Sequence, residues 1–270
     1  MMDPRLRGDD SSAILPFQFI IPNFLVSPMK FKNLHDWDLD YKAAVAMQAE
    51  LRERLILEGR LSGDIRIVAG ADISCTKGDD RLFAAIILLD AVTLDIIEEA
   101  TYSGKASIPY IPGLLSFREG PALLRAFEKL RTRPDVILFD GQGIAHPRGF
   151  GLAAHMGLIM DIPSVGCAKT RLVGTFREPG ERRGQHSPLV YNENRIGDVL
   201  RTKDRVKPVF VSQGHRVSLE SAVKIVLQCS RRYRIPEPIR RAHILVNRLR
   251  LEAAQKGTGD QGVGTRQIRQ

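Results

Sequence analysis

Residues 135–143 read DVILFDGQG, and the architecture of the chain turns on this stretch. Val136, Ile137, Leu138 and Phe139 form an unbroken apolar run, short enough for a strand buried on both faces of a parallel sheet. Asp140 ends the run, and Gly141, Gln142 and Gly143 follow it. Ligands of open α/β sheets gather at the carboxyl ends of parallel strands, so Asp140 stands where a catalytic acid would. A polar residue capping a loop is the plainer alternative. The glycines also mimic the start of a dinucleotide fingerprint. His146 occupies the place of the third glycine, and Asp140 would set negative charge against a pyrophosphate, so we set that reading aside.

Outward from this strand the pattern alternates. Upstream, residues 41–58 carry a helical period through Ala44, Met47, Gln48, Leu51 and Leu55. Residues 65–74, 82–91 and 95–103 read as strands, with Gly78, Asp79 and Asp80 turning between the first two. A helix is expected near 119–131. Downstream come a helix near 150–160, a strand at 164–168, a further strand at 206–211, and helices at 217–229 and 238–251. Strands followed by helix, strand, helix and strand imply an α/β domain, with a central mixed five-stranded sheet flanked by helices.

Two more carboxylates sit where the pattern does not call for them. Asp72 lies inside the strand IRIVAGADIS, although Asp is depleted in strands because its side chain competes for backbone hydrogen bonds. The exposed end of a strand is the bland explanation. Glu119 shares a stripe with Leu123, Phe127 and Leu130, the face that should meet the sheet. A first-turn glutamate with Pro121 in an early helical position is its bland explanation. Together, Asp72, Glu119 and Asp140 can reach one sheet edge. Close carboxylates repel, and a divalent cation removes the conflict. Oxygen ligands suit Mg²⁺, with Mn²⁺ as substitute. This is the arrangement of the ribonuclease H-like fold, where such an ion activates water against a phosphodiester.

The net charge of +9 favours a polyanionic partner, nucleic acid first. Arg231, Arg232, Arg234, Arg240 and Arg241 cluster about Pro236 and Pro238; a solvated face is the bland explanation, and we expect some of them to contact backbone phosphates. Cys75, Cys167 and Cys229 are too far apart for a zinc site or a disulfide framework, which fits a reducing cytoplasm. The apolar stretch 17–26 is broken by Pro22 and lacks a cleavage site, so it makes a poor signal peptide. No run is apolar enough to span a membrane. Residues 1–33 are expected to be an extension, with Met29 as an alternative start, residues 34–255 the domain, and residues 256–270 a flexible tail.

Longer motifs carry a resemblance. LHDWDL (34–39), VAGADIS (68–74), PYIPGLLSFREGPALL (109–124), DVILFDGQGIAHPRGFGLAAHMGL (135–158), GCAKTRLVGTF (166–176), PVFVSQGH (208–215) and RIPEPIRRAH (234–243) occur in this order. In these segments the chain resembles the endonuclease V family. The resemblance implies Asp72, Glu119 and Asp140 as metal-binding acids, with Asp72 and Asp140 as direct ligands. It implies Lys169 as the catalytic lysine, His146 beside the scissile phosphate, and His243 as a further active-site histidine. Pro109, Tyr110, Ile111 and Pro112 become a stiff wedge that holds an opened duplex, each proline fixing its φ. Gly113, Leu115, Gly141 and Gly151 line the pocket for the flipped base. His155 reads as structural. The implied activity is cleavage of the second phosphodiester 3′ to deoxyinosine in double- or single-stranded damaged DNA, by a monomer. Rivals are a ribonuclease acting on inosine-containing RNA and a non-catalytic binding module. A broken acid set would mark the latter, and the set here is whole.

Overall fold

The structure is a computed structural model and describes residues 29, 31–59, 61, 65–76 and 78–259. Residues 1–28 of the expected extension and 260–270 of the expected tail lie outside the described residues. Met29 and Phe31 pack against the core, and the Lys32 N–H donates to the Ile159 carbonyl at 3.0 Å, so the packed chain begins before Leu34.

One mixed sheet organises the described residues. Its strands are β1 (Ile67–Cys75), β2 (Arg81–Asp90), β3 (Ile96–Lys105), β4 (Val136–Phe139), β5 (Ser164–Ala168), β6 (His186–Tyr191), β7 (Asn194–Leu200) and β8 (Val209–His215), in the order β3-β2-β1-β4-β5-β8-β7-β6. β1, β4 and β5 run parallel, and β2, β3 and β8 join antiparallel. The α/β fold with a mixed sheet is the one expected, but the sheet has eight strands rather than five. Beyond β5 it continues through β8 into the β6–β7 hairpin. That hairpin is quiet in the sequence. β6 carries Pro188, which an edge strand tolerates, and only Ser187 and Leu189 of β6 turn fully inward. Asn192 and Glu193 join the strands with φ of 47° and 64°, the left-handed pair that a two-residue hairpin turn needs.

Five helices flank the sheet among the described residues: α1 (Tyr41–Arg52), α2 (Leu115–Phe127), α3 (Leu152–Met160), α4 (Leu219–Cys229) and α5 (Glu237–Gly259). The alternation of β4 shows how two cores form. Val136 and Leu138 face the layer holding α4 and α5, whereas Ile137 and Phe139 face the layer of α2 and α3. α2 starts four residues before Glu119, so Pro121 lies inside the helix rather than at its start. No side chain caps Leu114, so nothing in the sequence marked the true beginning. α1 ends at Arg52, short of the expected residue 58, whereas α5 runs past residue 255 to Gly259.

The packing of α5 on β1 sets the site. A Cβ on Gly70 would lie 2.1 Å from the Pro238 carbonyl, so only glycine lets the first turn of α5 settle there. Two residues along the strand, Asp72 meets His243; two further, Ser74 meets Asn247. Two strand residues advance about 6.6 Å and four helix residues about 6 Å, so strand and helix stay in step along this seam.

Candidate active site

Register explains why two acids meet. Ala71 on β1 pairs with Phe139 on β4, and the strands are parallel. One step further, Asp72 and Asp140 sit side by side on the α5 face. The Asp140 N–H donates to the Ala71 carbonyl at 3.2 Å, fixing the turn out of β4. His243 comes down from α5, and ligand atoms of Asp72, Asp140 and His243 all lie within 4.8 Å of one another. No other such group occurs among the described residues.

Hydrogen bonds orient each member. The Asp72 Oδ2 lies 2.7 Å from His243 Nδ1, and Asp72 Oδ1 accepts from the Ile73 N–H at 2.8 Å. Asn247 Nδ2 lies 3.0 Å from His243 Nε2 and 2.9 Å from the His243 carbonyl, while its Oδ1 accepts from the Ser74 hydroxyl. Lys169, at the end of β5, donates to Asp140 Oδ2.

The electrostatics fit crowded acids. Burial, then the neighbouring Asp140, pushes the Asp72 carboxyl up to about 6, against the pull of His243 and Lys169. Burial, then Asp72, pushes Glu119 up to about 8. Glu119 thus feels both aspartates from α2, but it is not part of the group that the ligand distances define. His243 takes that third place, making the donor set two carboxylates and an imidazole.

The Pro109–Pro112 segment bridges β3 and α2. Tyr110 is 66% exposed and both prolines are exposed, whereas Ile111 packs beside Leu114 and Phe117. The loop is therefore anchored at Ile111 and presents Tyr110 outward. Its base is clamped at Gly113 (φ +80°), whose carbonyl accepts from Arg148 Nη2 at 2.6 Å and Gln48 Nε2 at 3.0 Å. Gln48 also reaches the Phe150 carbonyl. Leu115 is the half-buried first residue of α2, and Gly141 lies against Leu152. A Cβ on Gly151 would lie 2.5 Å from the Gln142 carbonyl, so glycine there serves tight loop packing.

His146 is buried, accepts from the Arg148 N–H, and is pushed down to about 4 by burial and by Arg148. It lines a cleft of about 530 Å³ with Arg52, Pro147 and Tyr191 rather than joining the acid group. His155 is wholly buried against Trp37, Phe117 and Phe150, as its structural reading requires. Arg234 stands apart within the basic cluster. Its guanidinium donates to the Lys169 carbonyl at 2.7 Å and the Pro208 carbonyl at 2.8 Å, so it is committed inside the protein. Arg240 and Arg241 hold Glu237, and Arg231 holds the Val92 carbonyl. Sequence reading missed Gln48, Arg148 and Asn247. Only Asn247 left a signal, standing one helical turn after His243.

The family model described as Endonuclease V matches residues 49–244. This chain belongs to the endonuclease V family. The Endonuclease V of Dictyoglomus thermophilum is 46% identical over 206 residues, which cover 76% of this chain and 89% of that protein. The crystal structure of Endonuclease V from Streptomyces avermitilis superposes with a TM-score of 0.78 at 41% identity, covering 84% of this chain and all of that one. Ciona intestinalis Endonuclease V, solved with a 24mer DNA containing an inosine followed by a ribo-adenosine, matches at 28% identity and TM-score 0.68 over 77% of this chain and 96% of that one. Membership in the endonuclease V family makes the chain a nuclease by class. No helix among the described residues is long and apolar enough to cross a membrane.

Proposed function

We propose that this chain is a metal-dependent endodeoxyribonuclease that recognises deaminated bases, chiefly deoxyinosine. It hydrolyses the second phosphodiester 3′ to the lesion, leaving a 3′-hydroxyl and a 5′-phosphate. The observation that carries the proposal is the in-register pair Asp72 and Asp140, joined by His243 and Lys169 at the ends of adjacent strands. Two carboxylates and an imidazole fit a hard or borderline divalent cation, Mg²⁺ with Mn²⁺ as substitute. A bound cation would supply Lewis acidity and a low-pKa water. Asp72 and Asp140 would hold it, with Glu119 as a further acid facing it from α2. Lys169 places positive charge where a phosphate oxygen gains negative charge. His146 stays a neutral imidazole at working pH and orients substrate or water. Pro109, Tyr110, Ile111 and Pro112 wedge the opened stack, and Gly113, Leu115, Gly141 and Gly151 line the space for the extruded base.

The test is Mg²⁺-dependent nicking of a duplex carrying one deoxyinosine, with an undamaged duplex as control. Cleavage of both at equal rates would overturn the lesion-specific reading. The ribo-adenosine beside inosine in the Ciona complex favours a second reading, inosine-containing RNA as substrate. Matched DNA and RNA oligonucleotides separate the two.

A further inference from the structure

Gln142 holds a polar atom that the fold leaves unused. The residue is 9% exposed, and its side-chain oxygen Oε1 is buried with no hydrogen-bond partner among the described residues. Its Nε2 donates to the Thr170 carbonyl at 3.1 Å. That contact fixes the amide, since a carbonyl only accepts; turning the amide over would set two oxygens against each other. Oε1 must therefore face away from Thr170. A buried acceptor without a donor is costly, and native proteins keep few of them.

Its place in the fold says what the acceptor is for. Asp140 and Lys169 join the loop after β4 to the loop after β5, and Gln142 and Thr170 join the same two loops again. Gln142 is thus one rung from the reacting pair, between Gly141 and the loop glycines that press against β5. Two nearby backbone donors are committed elsewhere. The Gly143 N–H is taken by the Ser212 hydroxyl, and the Gly151 N–H by the Gly143 carbonyl.

We propose that Gln142 is a specificity-determining residue whose Oε1 accepts the ring N–H of the extruded base. The ligand class is a lactam base, in which N–H adjoins C=O. Hypoxanthine has that N–H at N1, whereas adenine presents a lone pair there. An acceptor at this point favours the deaminated base and repels the parent. A donor would read the adjoining oxygen, but only an acceptor reads the N–H. The inference rests on the lesion-specific reading above and adds the atom that enforces it.

The experiment compares the wild type with Gln142→Met and Gln142→Leu. Three duplexes carry deoxyinosine, deoxynebularine (a purine with a lone pair at N1 and no oxygen at C6) or an abasic site. Equilibrium binding in Ca²⁺ and single-turnover cleavage in Mg²⁺ are measured for each. For the variants we expect about tenfold weaker binding to the inosine duplex, the worth of one buried hydrogen bond. Binding to the abasic duplex should be unchanged, and the preference for inosine over nebularine should shrink by the same factor. Equal loss on all three duplexes, or none on inosine, would overturn the assignment. Wild-type protein that binds all three alike would instead overturn the lesion-specific reading beneath it.

Discussion

Acid should weaken this protein through His155, and the size of the effect follows from its surroundings. The imidazole is wholly buried, lies 2.7 Å from His35 Nε2 and 2.9 Å from the Ser116 hydroxyl, and is walled by Trp37, Phe117 and Phe150. Among the described residues, no carboxylate bonds to it. Burial, then the neighbouring His35, holds its pKa well below 6.5. In the unfolded chain it titrates near its ordinary value of about 6.5. Below that pH the unfolded state binds a proton that the folded state refuses, so stability is complete above about 6.5 and falls as pH drops toward the folded pKa. The slope is at most about 1.4 kcal/mol per pH unit, which bounds the loss between pH 6.5 and 5 at about 2 kcal/mol. For a domain of this size that corresponds to about 4–8 °C in Tm. Thermal melts from pH 7.5 to 5 in chelator, for wild type and His155→Met, measure it. The variant should be less stable at pH 7.5 yet show a curve flatter by one proton. Asp72, whose raised pKa works in the opposite direction, is common to both proteins and cancels in the difference. Parallel curves would refute the sealed-pocket argument.

Four further outcomes are expected. Asp72→Ala or Asp140→Ala should abolish Mg²⁺-dependent nicking with little loss of Tm in chelator, because removing one acid relieves repulsion; near-normal cleavage would exclude the metal assignment. Tyr110→Ala should weaken lesion binding about five- to 150-fold, from roughly 1–3 kcal/mol of base stacking, with a smaller defect on single-stranded inosine DNA. An equal defect on both, with a lower Tm, would make Tyr110 a packing residue. Arg234→Met removes the guanidinium that ties the Lys169 carbonyl to the Pro208 carbonyl, so single-turnover cleavage should slow about tenfold or more while the salt dependence of binding stays fixed. A flatter salt slope would return Arg234 to the phosphate footprint. A chain beginning at Met29 should melt and nick like the full chain, whereas one beginning at Leu34 should melt lower, having lost Met29, Phe31 and the Lys32 backbone bond.

The central strands were legible because their residues had little alternative. VILF cannot be exposed, and an aspartate after it must lie at the strand end. The β6–β7 hairpin was not legible. His186, Pro188, Asn194 and Arg195 face solvent, so no apolar alternation announces it. Asp72 and Asp140 could be named individually, but their adjacency depends on the β1–β4 register, which no local pattern encodes. Glu119 was placed on the correct helix with the wrong start, since the turn before it is made by Gly113 rather than by a capping side chain. The inward bonds of Arg234 were not legible, because charge counts as surface until its partners are known. Here the partners are two carbonyls distant in sequence.

The shared pitch of β1 and α5 makes the reacting end adjustable from a distance. Gly70 touches neither acid nor histidine, yet it decides how deep the first turn of α5 sits. A methyl group there would lift Pro238 and carry His243 and Asn247 off Asp72 and Ser74, like a rack shifted by one tooth. Such a substitution would behave in an assay as a lesion of the chemistry while lying two residues short of the acid along the strand. The same coupling runs in reverse. Whatever draws His243 closer to the acids also presses α5 down on its seat, so a filled site should tighten the long helix that frames it.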